Sequence, residues 1–409
     1  MLFAVTGSPV SDSKSPDIWN SAFKALNIDA TYFRIASQEI GEAIKTAEEL
    51  YLRGLNITAP FKEDILRFVS APDKDVQNIG SANVILFEDR KIKAFNTDWK
   101  AVTKILNDKG LNELQNKKCL VLGAGGAARA AIYALKKLNA DLVISNRTQE
   151  KARRLASYFN VEYLIQEEAL KDNYDVVINC TSRSYDVFPE LKTKLLIDAP
   201  YSGLKSSEDY VSGEEWLVLQ AETLFRTLFE EDSMEYMKKG LLEQKKRKQN
   251  IALTGFMGSG KSYLARKLAK ELSYELVDLD KLIEEQEGMS VTQIFSTKGG
   301  EYFREKEKKL LHGLELKKPL VLATGGGTII DAENREFLKH NFNVVWLWAK
   351  LGVINKRIDR TDRPLFNDNA KELLNSRIPL YAKSCDFCVR NSDSDVKKVI
   401  SIIRANLPR

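Results

Sequence analysis

Two glycine turns in this chain are of the kind that meets phosphate, and they differ in chemistry. The first lies in CLVLGAGGAARAAIYALKKL, which starts at Cys119. Gly123, Ala124, Gly125, Gly126 and Ala127 come after a strand-like run and open an alanine-rich helix. Glycine there permits a tight turn and lets the backbone approach a pyrophosphate, which a helix N-terminus stabilises. The second turn is GFMGSGKS from Gly255, which satisfies G-x-x-x-x-G-K-[ST] between a strand and a helix. Successive N–H groups around Gly258, Ser259 and Gly260 would cradle phosphates. Lys261 would neutralise their charge, and the Ser262 hydroxyl would bind Mg2+.

The segment after each turn sharpens the chemistry. The strand after the first turn ends in SNRT, where an NAD site usually carries an acidic residue for the ribose hydroxyl. Here stand Asn146, Arg147 and Thr148, with Lys151 one helical turn on. A guanidinium and hydroxyls suit a 2′-phosphate, so NADPH is the expected cofactor. An ordinary helix start with a surface arginine is the plain alternative. Beyond the second turn, ELVDLDKLIEE places Asp278 and Asp280 at a strand end with one residue between them. One suits the hydration shell of Mg2+ and the other a hydroxyl proton. Further along come Arg304 in GGEYFREKE, Gly325, Gly326 and Gly327 in ATGGGT, Arg363 in DRPLF and Arg377 in NSRIPLY. Arginines suit carboxylate and phosphate, although any one alone would read as a surface charge. A third set precedes both turns: Ser13 and Ser15 in SDSKSP, Asn56, Thr58 and Lys62 in GLNITAPFK, Asn83 in GSANV, and Asp98 in FNTDW. Hydroxyls and amides with one lysine and one aspartate, at the ends of strands, suit a small polyol acid.

The elements that must carry these residues alternate almost from the first residue. LFAVTG, ATYFRI and GLNIT read as strands; SPDIWNSAFKALN, GEAIKTAEELYL and FKEDILRFV read as helices. A second run begins at Cys119 and includes DLVISNR, YDVVINC and KLLIDAP. The pattern predicts α/β architecture with mainly parallel sheet. EEDSMEYMKKGLLEQKKRKQN is polar, lysine-rich and without a strand; it reads as a linker, with a new α/β unit from Asn250 and a separately folding C-terminal part.

Bulk composition agrees. With 409 residues the chain is too long for one ordinary core. It is 44% hydrophobic and 29% charged, and its net charge of +5 forms no long basic stripe, so neither disorder nor nucleic-acid binding is indicated. No apolar run approaches the roughly 20 residues of a membrane span, and the N-terminus begins directly as a strand. The expected location is the cytoplasm. The four cysteines form no disulfide scaffold. Cys385 and Cys388 make one CxxC, open either to a redox or metal role or to simple burial near a strand. The two histidines are His312 and His340, so chemistry in the first half must proceed without a histidine acid or base.

GSPVSDSKSP, GLNITAPFK, IGSAN, FNTD, GAGGAAR, NRT, INCTS, DAPYSGLK and LVLQA occur in that order, and with them about the first 240 residues resemble shikimate dehydrogenase. The order of motifs across residues 250–409 resembles shikimate kinase. The resemblance implies a substrate-binding domain over 1–100, completed by a helix at about 213–240. It further implies a Rossmann NADP-binding domain over 101–212, a linker at 241–249, and a P-loop domain like the nucleoside monophosphate kinases over 250–409. It implies two consecutive reactions on the route to chorismate and the aromatic amino acids: NADPH reduces 3-dehydroshikimate to shikimate, and ATP with Mg2+ phosphorylates the 3-hydroxyl of shikimate. Lys62 and Asp98 become the catalytic pair of the first reaction. Ser13, Ser15, Asn56, Thr58, Asn83, Tyr201 and Gln220 become its substrate contacts. Asp280 becomes the base of the second. Arg304, Gly326, Gly327 and Arg377 hold shikimate with it, while Lys261, Ser262 and Arg363 handle ATP and Asp278 lies near Mg2+.

The chain also departs from both families. Asp12 stands where histidine is usual, Trp99 where glycine is common after Asp98, and Glu215 in Gly213-Glu214-Glu215-Trp216 replaces a glycine. INCTSRSYD lacks the usual glycine, and only Thr361 and Asp362 separate Arg360 from Arg363, a short lid. Three other readings stay open: quinate oxidation in the first half, a first half that senses ligand without turnover, and a second half that acts on another small molecule. Oligomeric state is not legible.

Overall fold

The computed structural model describes residues 1–408 except 90, 185–190, 202–205, 243–247, 359–368 and 393–394. In chain order the strands are β1 Leu2–Gly7, β2 Thr31–Ala36, β3 Gly54–Ile57, β4 Ala71–Pro72, β5 Val84–Glu88 and β6 Lys91–Phe95. Then come β7 Lys118–Leu122, β8 Asp141–Ser145, β9 Glu162–Tyr163, β10 Asn173–Asn179, β11 Lys192–Asp198 and β12 Tyr210–Val211. The last are β13 Asn250–Thr254, β14 Glu275–Asp278, β15 Leu320–Ala323, β16 Phe342–Trp348 and β17 Phe387–Arg390. Helices are named by their residues.

The chain divides into two compact units. One comprises residues 1–16, 29–52 and 245–409; the other comprises 17–28 and 53–244. This grouping differs from the linear segmentation that the order of motifs implies, because the first N-terminal strands join the P-loop sheet. In that unit the strand order is β14-β15-β13-β16-β17-β2-β1. β13 lies between β15 and β16, and every pairing from β14 to β1 is parallel. All seven residues of β16, FNVVWLW, are buried, as expected for a parallel strand covered on both faces. β17 pairs with β2 through Cys388 opposite Ile35 and Val389 opposite Ala36. Phe33 meets Trp346 beneath that junction, ring centroids 5.7 Å apart.

The second unit holds two sheets. In one the order is β3-β5-β6-β4, with β5 antiparallel to both β3 and β6. The other is a six-stranded parallel sheet of order β12-β11-β10-β7-β8-β9. β7 and β10 are central there, and helix Gly126–Lys137 springs from the end of β7. Val121, Ile144 and Ile178 face a core that also takes Trp216 and Leu219 from helix Gly213–Phe229. Leu120, Val143 and Val177 face the other side. Such alternation between two covered faces is what parallel strands require.

One expected helix is absent. FKEDILRFV forms a single 3-10 turn over Asp64–Phe68. The Lys62 carbonyl accepts from the Ala82 amide at 2.8 Å, while the Leu66 amide bonds Glu63 instead. The tighter i→i+3 bond closes the turn early and fixes Lys62 at its mouth.

Candidate active sites

Lys62 and Asp98 meet in the second unit. Lys62 Nζ lies 2.6 Å from Asp98 Oδ2, and their side chains are only 15% and 7% exposed. Asp98 opens helix Asp98–Asp108, and its amide bonds Asn96 Oδ1 at 3.1 Å. Around the pair runs a buried amide–hydroxyl network. Asn83 Nδ2 donates to Thr97 Oγ1 at 2.9 Å and to Gln220 Oε1 at 3.0 Å, and Thr97 Oγ1 donates to the same Gln220 oxygen at 2.9 Å. The Thr97 amide closes the ring onto Asn83 Oδ1 at 2.8 Å. Asn56, from β3, reaches the Asn83 carbonyl at 3.5 Å. So Asn56, Asn83, Gln220, Lys62 and Asp98 all belong to one unit. Thr97 was not anticipated, although it sits inside FNTD beside Asp98.

The glycine turn adjoins this lysine. A Cβ on Gly126 would stand 2.5 Å from Lys62 Cβ, so any side chain there would displace the lysine stem. A Cβ on Gly125 would meet nothing within 4 Å, which leaves open space at the N-terminus of helix Gly126–Lys137. Cys180 is half-buried near both Lys62 and Asp98, and desolvation pushes its thiol well above the usual range. At the end of β8, Asn146 Nδ2 bonds the Thr148 carbonyl at 3.0 Å. The Thr148 hydroxyl makes no capping bond to the helix it begins. Arg153 is engaged with Tyr163 and Arg154 with Glu150. Arg147 and Lys151 are exposed and carry no such partner among the described residues. Two open cations and a hydroxyl beside an open helix N-terminus fit a phosphorylated dinucleotide.

In the first unit the P-loop runs from Gly255, with positive φ at Gly258 (74°) and Gly260 (93°), into helix Lys261–Leu272. Lys261 Nζ donates to the Gly255 and Phe256 carbonyls at 2.9 and 3.1 Å and is buried. Ser259 Oγ is buried without a partner among the described residues, while its carbonyl accepts from Asn391 at 2.7 Å. An orphaned hydroxyl in a glycine cradle fits a phosphate ligand. Ser262 stands in the first helical turn.

Beside it an open cleft is lined by Asp280, Arg304, Gly326, Gly327 and Arg377, with Met257 and Phe295 among its apolar walls. Asp280 projects from the first turn of helix Leu279–Glu287. Arg304 pairs with Glu307 at 2.5 Å, and Thr328 donates to the other Glu307 oxygen at 2.6 Å. Burial pushes the Glu307 carboxyl up, against the pull of Arg304. A Cβ on Gly327 would fall 2.3 Å from Arg304 Nη2. Arg377 and Tyr381 both bond the Gly326 carbonyl, at 3.2 and 2.6 Å. Arg377 is 4% exposed, and burial lowers its pKa, yet its Nε has no acceptor among the described residues. Glu307, Tyr381 and the apolar lining were missed from sequence, because nothing distinguishes them there from core.

The remaining expected residues are dispersed. Ser13 and Ser15 belong to the first unit; Ser13 Oγ donates to Ser15 Oγ at 3.2 Å, and helix Ser15–Ala25 begins there. Tyr201 is 40% exposed, and the Thr58 carbonyl accepts from Phe61 at 3.0 Å. Asp278 ends β14. Arg363 and the short lid lie outside the described residues. Trp99 packs edge-on against Tyr133 at 5.4 Å, and Glu215 lies in the first turn of helix Gly213–Phe229, its amide capped by Ser212. In the CxxC, Cys388 is buried and Cys385 half-buried; desolvation pushes Cys385 up to about 12 and Cys388 well up too, which disfavours thiolate chemistry. No cluster of three metal-ligating side chains occurs among the described residues.

Three family models match the chain in succession. "Shikimate dehydrogenase substrate binding domain" covers residues 5–85, "Shikimate / quinate 5-dehydrogenase" 105–199, and "Shikimate kinase" 257–407. The NADP(+) shikimate dehydrogenase of Methanococcoides burtonii is 34% identical over 270 residues, 59% of this chain and 97% of the relative. The chain belongs to the shikimate dehydrogenase family. Residues 257–407, behind the dehydrogenase part, match the shikimate kinase model. The Syntrophobacter fumaroxidans dehydrogenase is 38% identical over 185 residues, 44% of this chain; the chain spans 64% of that relative's length. A crystal structure of shikimate 5-dehydrogenase from Thermus thermophilus with NADP(H) and shikimate is 26% identical, with a TM-score of 0.50. The likeness covers 59% of this chain and 99% of that one. The fold is thus α/β throughout, Rossmann-like in the dehydrogenase and of P-loop type in the kinase. No described helix is long and apolar enough to cross a membrane.

Proposed function

We propose that the chain reduces 3-dehydroshikimate to shikimate with NADPH and then phosphorylates the 3-hydroxyl of shikimate with ATP and Mg2+. The observation that carries this reading is the Lys62–Asp98 pair, 2.6 Å apart in a nearly buried setting. In the dehydrogenase, bound NADPH supplies a hydride to the ketone. Lys62 stabilises the negative charge that develops on the substrate oxygen and delivers a proton to it; Asp98 orients Lys62 and accepts from a substrate hydroxyl. Asn56, Thr58, Asn83, Gln220, Tyr201, Ser13 and Ser15 are the substrate contacts. Gly123, Ala124, Gly125, Gly126 and Ala127 take the pyrophosphate; Asn146, Arg147, Thr148 and Lys151 take the 2′-phosphate.

In the kinase, bound ATP supplies the phosphoryl group. Gly258, Ser259, Gly260, Lys261, Ser262 and Arg363 hold it, with Ser262 and Asp278 around Mg2+. Arg304 and Arg377 hold the shikimate carboxylate beside Gly326 and Gly327, and Asp280 receives the hydroxyl proton. The unpaired Nε of buried Arg377 supports an anionic substrate in that cleft. The segments 1–100 with 213–240, 101–212, 241–249 and 250–409 serve as substrate, NADP, linker and kinase parts, and the protein works in the cytoplasm.

The test is incubation with 3-dehydroshikimate, NADPH, ATP and Mg2+, following NADPH loss and shikimate 3-phosphate together. Both should appear. Kinase activity on supplied shikimate with no NADPH oxidation would instead indicate a dehydrogenase-like sensor.

Two substitutions probe the binding parts. Arg147→Ala should raise KM for NADPH by roughly ten-fold or more while NADH changes little, since a lost phosphate contact costs on the order of 1.5–3 kcal/mol. Equal losses for both nucleotides would make Arg147 structural. Gly327→Ala should push Arg304 aside, because the clash falls on the end of a flexible side chain. KM for shikimate in the kinase reaction should rise while thermal unfolding is nearly unchanged. An unaltered KM would remove Arg304 from the substrate site.

A further inference from the structure

The loop that carries Ser13 is held by residues from both ends of the chain. The Val10 amide donates to Asn406 Oδ1 at 2.7 Å in a buried setting. Asn406 caps the last kinase helix, Val396–Ala405, through its own amide to Ile403 and through Nδ2 to the Ile402 carbonyl. Arg34, on β2, is 6% exposed and donates to the Ser13 carbonyl from Nε at 3.1 Å and from Nη2 at 2.5 Å. Its Nη1 reaches the Asp386 carbonyl at 3.3 Å, the residue before kinase strand β17. Asp386 is fixed in turn: its carboxylate accepts from the Val344 amide at 2.9 Å and from Lys248 at 3.0 Å.

The seam around these bonds is built rather than incidental. β17 adds to β2 in parallel register. Kinase residue Arg390 bonds Glu42 at 3.0 Å and Glu49 at 2.6 Å, Trp348 bonds Glu49 at 2.9 Å, and Lys398 bonds Glu39 at 2.6 Å. A strand such as β2, left as an edge, would offer an unpaired ladder and let the preceding loop drift.

We propose that the kinase part positions the shikimate-binding loop of the dehydrogenase, with Asn406 and Arg34 as its positioning residues. The inference rests on the reading of Ser13 as a substrate contact. Asn406 holds the loop at Val10 and Arg34 holds it at Ser13. Asn406 ends the final helix, 396 positions from Val10 in sequence, and Arg34 is tied to the residue before β17, so the loop depends on the kinase part for its place. A loose loop weakens substrate binding before it slows chemistry, since misplacement of binding groups by about 1 Å is already costly.

The test uses the full chain and three variants: Ser13→Ala, Asn406→Leu and Ser401→Ala. Ser401 lies on the same final helix and bonds Gln38, not the loop, at 3.2 Å. Asn406→Leu leaves the buried Val10 amide without its acceptor, so KM for shikimate, assayed as NADP+-dependent oxidation, should rise roughly three- to thirty-fold. Dehydrogenase kcat should stay within about two-fold, as expected for lost binding rather than lost chemistry. KM for NADP+ and kinase kcat on supplied shikimate should hold, which also shows that the variant is folded. Ser401→Ala should change none of these. If Ser13→Ala raises KM and Asn406→Leu does not, the positioning role is wrong although Ser13 still binds substrate. If Ser13→Ala itself leaves KM unchanged, the reading of Ser13 fails and this inference falls with it.

Discussion

Lys62→Met should lower dehydrogenase turnover by about 10²–10⁴, the usual worth of a positioned acid or base. Methionine keeps most of the lysine stem, so the close packing of Gly126 against that stem survives. The ammonium 2.6 Å from Asp98 is lost. The substrate oxygen then develops charge with neither a cation nor a proton donor beside it. Asp98 keeps the amide and helix-start interactions that place it, so substrate should still bind. The expected signature is a fall in kcat with a modest change in KM, which marks an interaction made in the transition state. Kinase activity on supplied shikimate should be untouched. Steady-state assay of both reactions on the one variant decides the matter. Intact NADPH oxidation would mean that another group delivers the proton.

How far sequence reaches depends on the range of the interaction. β1, β2, β3 and the start of the kinase at β13 were legible, because strand runs and glycine turns are local patterns. Lys62 and Asp98 were named as candidates, but their distance was not legible, since they stand 36 positions apart with a β-hairpin between them. FKEDILRFV reads as an amphipathic helix; the Ala82 amide claims the Lys62 carbonyl and stops it at one 3-10 turn. Such competition comes from the loop ahead of β5 and leaves no mark in the segment itself. The pairing of β17 with β2 was illegible for the same reason. FCVR is a short, mostly apolar strand, and nothing in it names the partner across the seam. Phe295 and Met257 look like core in sequence, and only the open cleft shows them as lining.

Asp280→Asn tests the second site at its centre. The substitution is nearly isosteric, so the first turn of helix Leu279–Glu287 should fold as before. It removes the one carboxylate that lines the cleft with Arg304 and Arg377 among the described residues. Glu307 cannot substitute: it is buried, paired to Arg304 and bonded by Thr328, and burial already favours its neutral form. Phosphoryl transfer leaves little covalent work to the protein, so the role proposed for Asp280 is to orient the attacking hydroxyl and receive its proton. Kinase kcat should fall by about 10²–10⁴, while both arginines continue to hold the carboxylate and KM for shikimate shifts far less. NADPH oxidation with 3-dehydroshikimate should proceed at the wild-type rate, and shikimate should accumulate instead of its phosphate. A rise in KM with kcat preserved would reduce Asp280 to a binding residue. Equal damage to both reactions would point to a folding defect, which thermal unfolding of the variant would reveal.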